Sequence, residues 1–137
     1  MFRIIEDVVE ACIIGPELRR VLLELRYDTG DPFAMSVGFG AEAALDPEGR
    51  LCWTAARELF GQGLSAPAGR GDLRVRPWQP GTVGVEFHGD DGWAILVLGA
   101  DDLTAFLRRT WQAVPPGTEH LLTHWPDTVA ELTGEPG

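Results

Sequence analysis

The sequence predicts an α+β fold dominated by antiparallel strands. Three observations carry that reading. Segments 18–40 and 72–88 read as β-hairpins with apolar residues at every second position, and segment 101–113 repeats its apolar residues at helical spacing.

The first hairpin is centred on the stretch LRYDTGDPFAMSVGF. Val21, Leu23, Leu25 and Tyr27 share one face of the first arm, and Phe33, Met35, Val37 and Phe39 share one face of the second. Pairing Tyr27 with Phe33 sets Leu25 opposite Met35, Leu23 opposite Val37 and Val21 opposite Phe39. Glu24, Arg26, Ala34 and Ser36 then face the other way. The intervening Asp28-Thr29-Gly30-Asp31-Pro32 has turn chemistry: Asp caps turns, Pro lacks an N–H, and Gly30 is expected to supply the positive φ. It reads as a structural bend, not as a phosphate-cradling or catalytic loop.

The second hairpin alternates Leu73 and Val75 with Arg74 and Arg76, then Val83, Val85 and Phe87 with Gly84, Glu86 and His88. A three-residue loop, Gln79-Pro80-Gly81, puts glycine at the left-handed position. The register that follows sets Arg74 opposite Glu86 and Asp72 opposite His88, two complementary pairs. After the turn Asp90-Asp91-Gly92, the run WAILVLG is apolar on both faces and reads as an interior strand. LCWTA at 51–55 is a further strand, preceded by the turn DPEG at 46–49.

Three segments read as helical. Residues 56–64 turn Leu59, Phe60 and Leu64 inward and end at Gly. In 101–113, Leu103, Phe106, Leu107 and Trp111 form the stripe, with Val114 following; Asp101 is expected to cap it and Pro115-Pro116-Gly117 to stop it. A last short helix is placed at Pro126–Leu132. Residues 3–14 have helical spacing but the β-branched content of a strand.

The 137 residues, 45% of them hydrophobic, are enough for one domain spanning 1–137 with a tail at its end. No apolar run reaches the about 20 residues of a membrane-spanning helix. The opening stretch has acids inside its apolar run, unlike a secretory leader. Cys12 and Cys52 read as reduced, packed thiols of a cytosolic protein. The net charge of −10 works against nucleic acid and anionic membranes. All eleven basic residues are Arg.

Candidate chemistry is sparse. Gly38-Phe39-Gly40 and Gly61-Gln62-Gly63 resemble nucleotide fingerprints, but neither opens a helix after a strand. His120 and His124 have i,i+4 spacing without a third metal ligand, and Asp90, Asp91, Asp101 and Asp102 are more simply a turn and a helix start. No nucleophile, base and orienting group assemble, and no cofactor is implied. One constellation is an exposed interaction face: Arg74, Arg76 and Trp78 lie on one strand face. Such a face can stack single-stranded bases; the simpler reading is a solvated face with Arg74 neutralised by Glu86.

The pieces LRYDTGDPFA, ARELFGQGL, PAGRGDLRV, LTAFLRRT and VPPGTEH, in that order, resemble the SsgA-like family of actinobacterial sporulation and cell-division proteins over about residues 25–120. The segment LRVRPW departs from the family's usual order of Trp then Pro. The resemblance implies a whirly-like incomplete barrel of about seven antiparallel strands, with two or three helices packed at one end, and favours a strand at 3–14. It implies no enzyme activity and no cofactor. It implies a cytoplasmic protein recruited to sporulation septa, which helps position the tubulin-like division protein FtsZ, with an SsgA-type partner and assembly as a trimer. The whirly-like fold also raises the alternative of a single-stranded nucleic-acid binder, which the charge disfavours. The long helix at 101–113 and the segment after it are candidates for the oligomer contact, and a helix buried in its own core is the equally plain alternative.

Overall fold

The computed structural model describes residues 2–15, 18–39, 51–69, 71–89 and 92–121. Seven strands form one antiparallel sheet: β1 (Ile4–Ile14), β2 (Leu18–Asp28), β3 (Ala34–Phe39), β4 (Leu51–Ala56), β5 (Leu73–Pro77), β6 (Thr82–Gly89) and β7 (Gly92–Gly99). Helix α1 (Arg57–Gln62) follows β4, and α2 (Ala100–Ala113) follows β7. A 3-10 turn, Glu119–Leu121, lies beyond α2. The strand order is β4-β3-β2-β1-β7-β6-β5, so two meanders meet where β1 pairs β7. Trp53 on β4 and Phe87 on β6 bring the two meanders together, their ring centroids 4.1 Å apart, and the barrel is nearly closed.

Residues 4–14 are a strand, and the burial pattern explains why. Ile5, Val9 and Ala11 are buried while Ile4, Val8 and Glu10 are exposed, which is the period of a strand. The helical spacing in the letters arises because the outer face also carries aliphatic residues. β1 and β2 pair along their whole length, from Ile4–Asp28 to Ile14–Leu18.

The β2–β3 register differs from the sequence expectation by two residues. Leu25 lies opposite Val37 and Arg26 opposite Ser36. Two consecutive turns cause the shift: Asp31 N–H donates to Asp28 O at 2.8 Å, then Ala34 N–H donates to Asp31 O at 3.2 Å. The second turn takes Phe33 out of the strand and leaves it 51% exposed. An even offset preserves face, so Leu23, Leu25, Tyr27, Met35 and Val37 remain buried. Gly30 does not take the expected positive φ. Its N–H donates to Asp28 Oδ1 at 2.8 Å, and a Cβ there would stand 3.2 Å from the Phe2 ring, so this glycine answers to space.

In the second meander the expected register is found: Arg74 pairs Glu86, and His88 N–H donates to Asp72 O at 2.8 Å. Gly81 has φ +82° and Thr82 N–H closes the loop on Gln79 O. β7 is an interior strand between β1 and β6. Its Leu96 and Leu98 face the core and Ile95 is buried on the other face, but Trp93 is 60% exposed.

Helix α2 buries Leu103, Phe106, Leu107 and Thr110. It begins one residue earlier than expected; Gly99 occupies the N-cap without a side-chain bond, and Asp101 and Asp102 sit in the first turn, where the helix dipole favours acids. Its apolar stripe packs into its own core, the second of the two readings that the sequence left open for this helix. Arg109 Nη1 donates to Glu6 O at 3.2 Å and ties α2 to β1. Helix α1 buries Phe60 and half-buries Leu59, as the spacing predicted, and also buries Arg57. Gly63 ends it against β5: a Cβ there would lie 2.5 Å from Val75 Cβ, closer than packed atoms approach. Cys52 is exposed and Cys12 half-buried, because both fall on the outer face of the sheet; neither is the packed thiol the composition suggested. The turn at 46–49, the helix at 126–132, His124 and Asp90–Asp91 lie outside the described residues.

Candidate interaction face on strands β5 to β7

Strand alternation places Arg74, Arg76, Glu86 and His88 on the outer face of β5 and β6, with Trp78 following β5 on the same side. Gly84, opposite Arg76, has no side chain there, and the Trp78 ring settles over it; a Cβ at Gly84 would lie 3.0 Å from the ring and 3.5 Å from Ile95. Trp78 thereby helps cover Ile95, which the apolar run of β7 would otherwise expose. The Arg76 guanidinium stacks on the ring at 4.9 Å from its centroid, a cation–π contact.

Arg76 Nε is 2.6 Å from Glu86 Oε2, and His88 Nε2 is 3.5 Å from Glu86 Oε1. The first is an ion pair by distance, and neither contact has the geometry of a hydrogen bond. The sequence expectation that Glu86 neutralises Arg74 is therefore corrected. Arg74 lies directly opposite Glu86, but the carboxylate leans along β5 to the diagonal neighbour Arg76, whose guanidinium the Trp78 ring holds in place. Arg74 stays exposed. Across the next strand, His88 pairs Trp93, so the face runs Trp78, Arg76, Glu86, His88, Trp93. The sequence reading set Arg74, Arg76 and Trp78 on one strand face; the β6–β7 register brings Trp93 alongside His88 at its far side.

A buried polar cluster elsewhere is structural. Arg57 is 2% exposed; its Nη1 donates to Val114 O at 2.8 Å and Thr110 O at 3.1 Å, and its Nη2 to Glu119 Oε2 at 2.7 Å. The Tyr27 ring lies 4.9 Å from its guanidinium carbon, and the Tyr27 hydroxyl donates to Pro32 O at 2.8 Å. Burial pushes the Tyr27 phenol up to about 12, partly offset by the charge of Arg57. For Glu119, burial acts to raise the carboxyl, but the Arg57 hydrogen bond, with Gly117 N–H donating to its Oε1 at 2.7 Å, holds it below its ordinary value. Among the described residues no group of three His, Cys, Asp or Glu side chains is placed to hold a metal ion, and no helix is long and apolar enough to cross a membrane.

Comparison with known proteins agrees with this architecture. The family model described as Streptomyces sporulation and cell division protein, SsgA, matches residues 21–119. The sporulation-specific cell division protein SsgB of Streptomyces coelicolor is 44% identical over 101 residues, covering 70% of this chain and 69% of that protein. Its counterpart from Saccharopolyspora erythraea is 39% identical over 114 residues, covering 82% and 78%. The crystal structure of the SsgA-like sporulation-specific cell division protein of Thermobifida fusca superposes with a TM-score of 0.81 at 28% identity, over 94% of this chain and 95% of that one. A structure of the Streptomyces coelicolor SsgB superposes with a TM-score of 0.79 at 34% identity, over 89% and 97%. The chain belongs to the SsgA-like family of sporulation-specific cell division proteins.

Proposed function

We propose that this chain is a non-enzymatic adaptor that positions FtsZ at sporulation septa, with the Arg74, Arg76 and Trp78 face as one of its protein contacts. The observation that carries the reading is the family membership: relatives named as sporulation-specific cell division proteins share 37–44% identity with it over most of its length. The face adds a physical reason. Trp and Arg are the side chains most often found at the energetic centre of protein interfaces, and here the Trp78 ring and the Arg76 guanidinium are held against each other before any partner arrives. In this reading the protein works in the cytoplasm and at the septum, as a trimer, with FtsZ and an SsgA-type protein as partners.

The test is co-sedimentation with polymerised FtsZ. The wild-type chain pellets with the polymer, and Arg76→Ala plus Trp78→Ala lowers the bound fraction about tenfold, as loss of an interface anchor does. A wild-type chain that stays in the supernatant overturns the reading. Light scattering tests the trimer: the expected mass is three times the 14.9 kDa of one chain.

The nucleic-acid alternative is weakened by the same geometry. Glu86 already neutralises Arg76, and the guanidinium occupies one face of the Trp78 ring that would stack a base. With −10 overall, the expected result of fluorescence anisotropy with labelled DNA and RNA oligomers is no binding at physiological salt. Sub-micromolar affinity lost on Arg74→Ala plus Arg76→Ala would restore that alternative.

A further inference from the structure

The sheet has two edges, β4 and β5, and they are finished differently. On β5 the main-chain groups of Leu73, Val75 and Pro77 point away from β6. Ala68 exchanges both bonds with Val75, at 2.8 and 2.9 Å, and Pro77 has no N–H to offer. A covering segment and an edge proline are common guards against stray strand pairing.

β4 has neither guard within its own sequence, LCWTAA, which holds no proline and no charge. Arg57 N–H donates to Phe33 O at 2.7 Å, one pair beyond Ala34–Ala56 in the β3–β4 register. Antiparallel ladder bonds fall on alternate pairs, so Met35–Ala55 and Val37–Trp53 are bonded while Ser36–Thr54 and Gly38–Cys52 are not. The 3.0 Å contact between the Ser36 and Thr54 hydroxyls agrees, because side chains stand closer in the non-bonded pairs. The N–H and C=O of Cys52 and Thr54 therefore point off the sheet. Among the described residues nothing bonds to them, and Cys52, Thr54 and Ala56 are all exposed. Two donors and two acceptors thus stand in line, with Cys52 and Thr54 about 7 Å apart.

We propose that the β4 edge takes up an extended segment of a partner protein as an eighth strand. The edge itself selects that occupant. A row of main-chain donors and acceptors is matched by another extended main chain, whereas a helix has used its own groups internally. The flanking side chains set the pattern. Positions opposite Cys52 and Thr54 share an outer face with Ser36 and Gly38, small and uncharged, where Thr or Ser fits. Positions opposite Trp53 and Ala55, both packed partly against the core, take apolar residues. A second copy of this chain would offer its own β4, since β5 is guarded. That pairing sets two chains of −10 together on a few main-chain bonds, whose small net worth does not offset the freedom lost when two folded bodies dock. A flexible segment of a partner already held at the Arg76–Trp78 face loses far less, and that part of the inference rests on the adaptor reading.

The probe is a capped peptide of about six residues, the length of β4, alternating Thr and Val. Methyl groups on its Val amides leave it one pairing edge, so it cannot grow into a stack, and its Thr amides face β4 when Val lies opposite Trp53. The matched control carries the methyls on the Thr amides. Amide exchange of Cys52 and Thr54, read by nuclear magnetic resonance, should be fast in the free protein. Saturating probe should slow both by about tenfold or more, and the control should not. Thr54→Pro, read at the Cys52 amide, and independently Cys52→Pro, read at the Thr54 amide, should each abolish that protection. Neither removes a bond to β3, so both should stay folded. Thr54→Val keeps the N–H and should behave as wild type, as should Arg76→Ala plus Trp78→Ala. No slowing by the probe, equal slowing by the control, or protection retained in both proline variants overturns the proposal. Amides of Cys52 and Thr54 already protected in the free chain and released on dilution also overturn it, because a second copy would then hold the edge. FtsZ co-sedimentation is read separately, so a failed adaptor reading and a bare edge are distinguishable.

Discussion

Arg57 Nη2 donates to Glu119 Oε2 at 2.7 Å across 62 residues of sequence, with the guanidinium 2% exposed and the carboxylate side chain 13% exposed. This bond joins the start of α1 to the segment beyond α2. The same guanidinium satisfies the carbonyls of Thr110 and Val114, the last turn and C-cap of α2, where no other basic residue stands. A helix end left buried without donors is costly, so one side chain serves as the terminus of α2 from outside the helix. Arg57→Met should therefore destabilise by about 3–5 kcal/mol, the range for breaking a buried pair by removing one partner. Urea denaturation followed by circular dichroism checks it; a loss under about 1 kcal/mol would show that water replaces the guanidinium.

Two groups of this cluster set opposite edges of the pH–stability curve. Glu119 has a folded value below its ordinary 4.5, so it contributes stability at higher pH that disappears as pH falls below that value. Glu119→Gln should be less stable than wild type near neutrality, and the difference should shrink on acidification.

Tyr27 works at the alkaline edge. Its folded value near 12 lies above the ordinary 10.0, so its contribution is complete below pH 10 and is lost as pH rises towards 12. The chain has a single tyrosine, so an ultraviolet tyrosinate titration reads Tyr27 directly. Ionisation at the ordinary value in the folded protein would show that the phenol is not sealed beneath Arg57.

Gly63→Ala should cost about 1–3 kcal/mol, the scale of overpacking, because its Cβ would stand 2.9 Å from the Val75 carbonyl carbon, which is backbone and cannot swing away. Gly15→Ala, with nothing within 4 Å, is the matched control and should be near neutral. Thermal melts of the two variants compare them.

The β2–β3 register makes a contrast between residues that alternate in the same sequence pattern. Met35→Ala, at 1% exposure, should lose about 2–5 kcal/mol, whereas Phe33→Ser, at 51%, should lose less than about 1. Equal losses would support the register with Phe33 in the strand.

Faces were legible in the sequence and distances were not. Alternation assigned Val21, Leu23, Leu25, Val75, Val83 and Val85 to the core because a strand's period is local, and Gly81 settled the β5–β6 register because a three-residue loop leaves little choice. The first hairpin slipped because a second turn, Ala34 N–H on Asp31 O, follows the first and takes Phe33 out of the strand, which composition does not encode. Arg57 was invisible because its acceptors lie at least 53 residues away. Of the candidate face, Arg76 and Trp78 could be read two residues apart on a strand, but the choice of Glu86 between two guanidiniums is decided by ring packing in space.

The sheet ends at β4 on one side and β5 on the other, and an aromatic contact, Trp53 on Phe87, faces across where a ladder of backbone bonds would complete a ring. The molecule is therefore a rolled strip with an aromatic clasp. A ring can widen only by breaking main-chain hydrogen bonds, whereas a clasped strip can breathe by sliding one ring over another. Amide exchange should report that asymmetry: the central β1–β7 junction slowest, the β4 margin fastest among the strands, and Trp53→Ala accelerating the margins while leaving the junction unchanged.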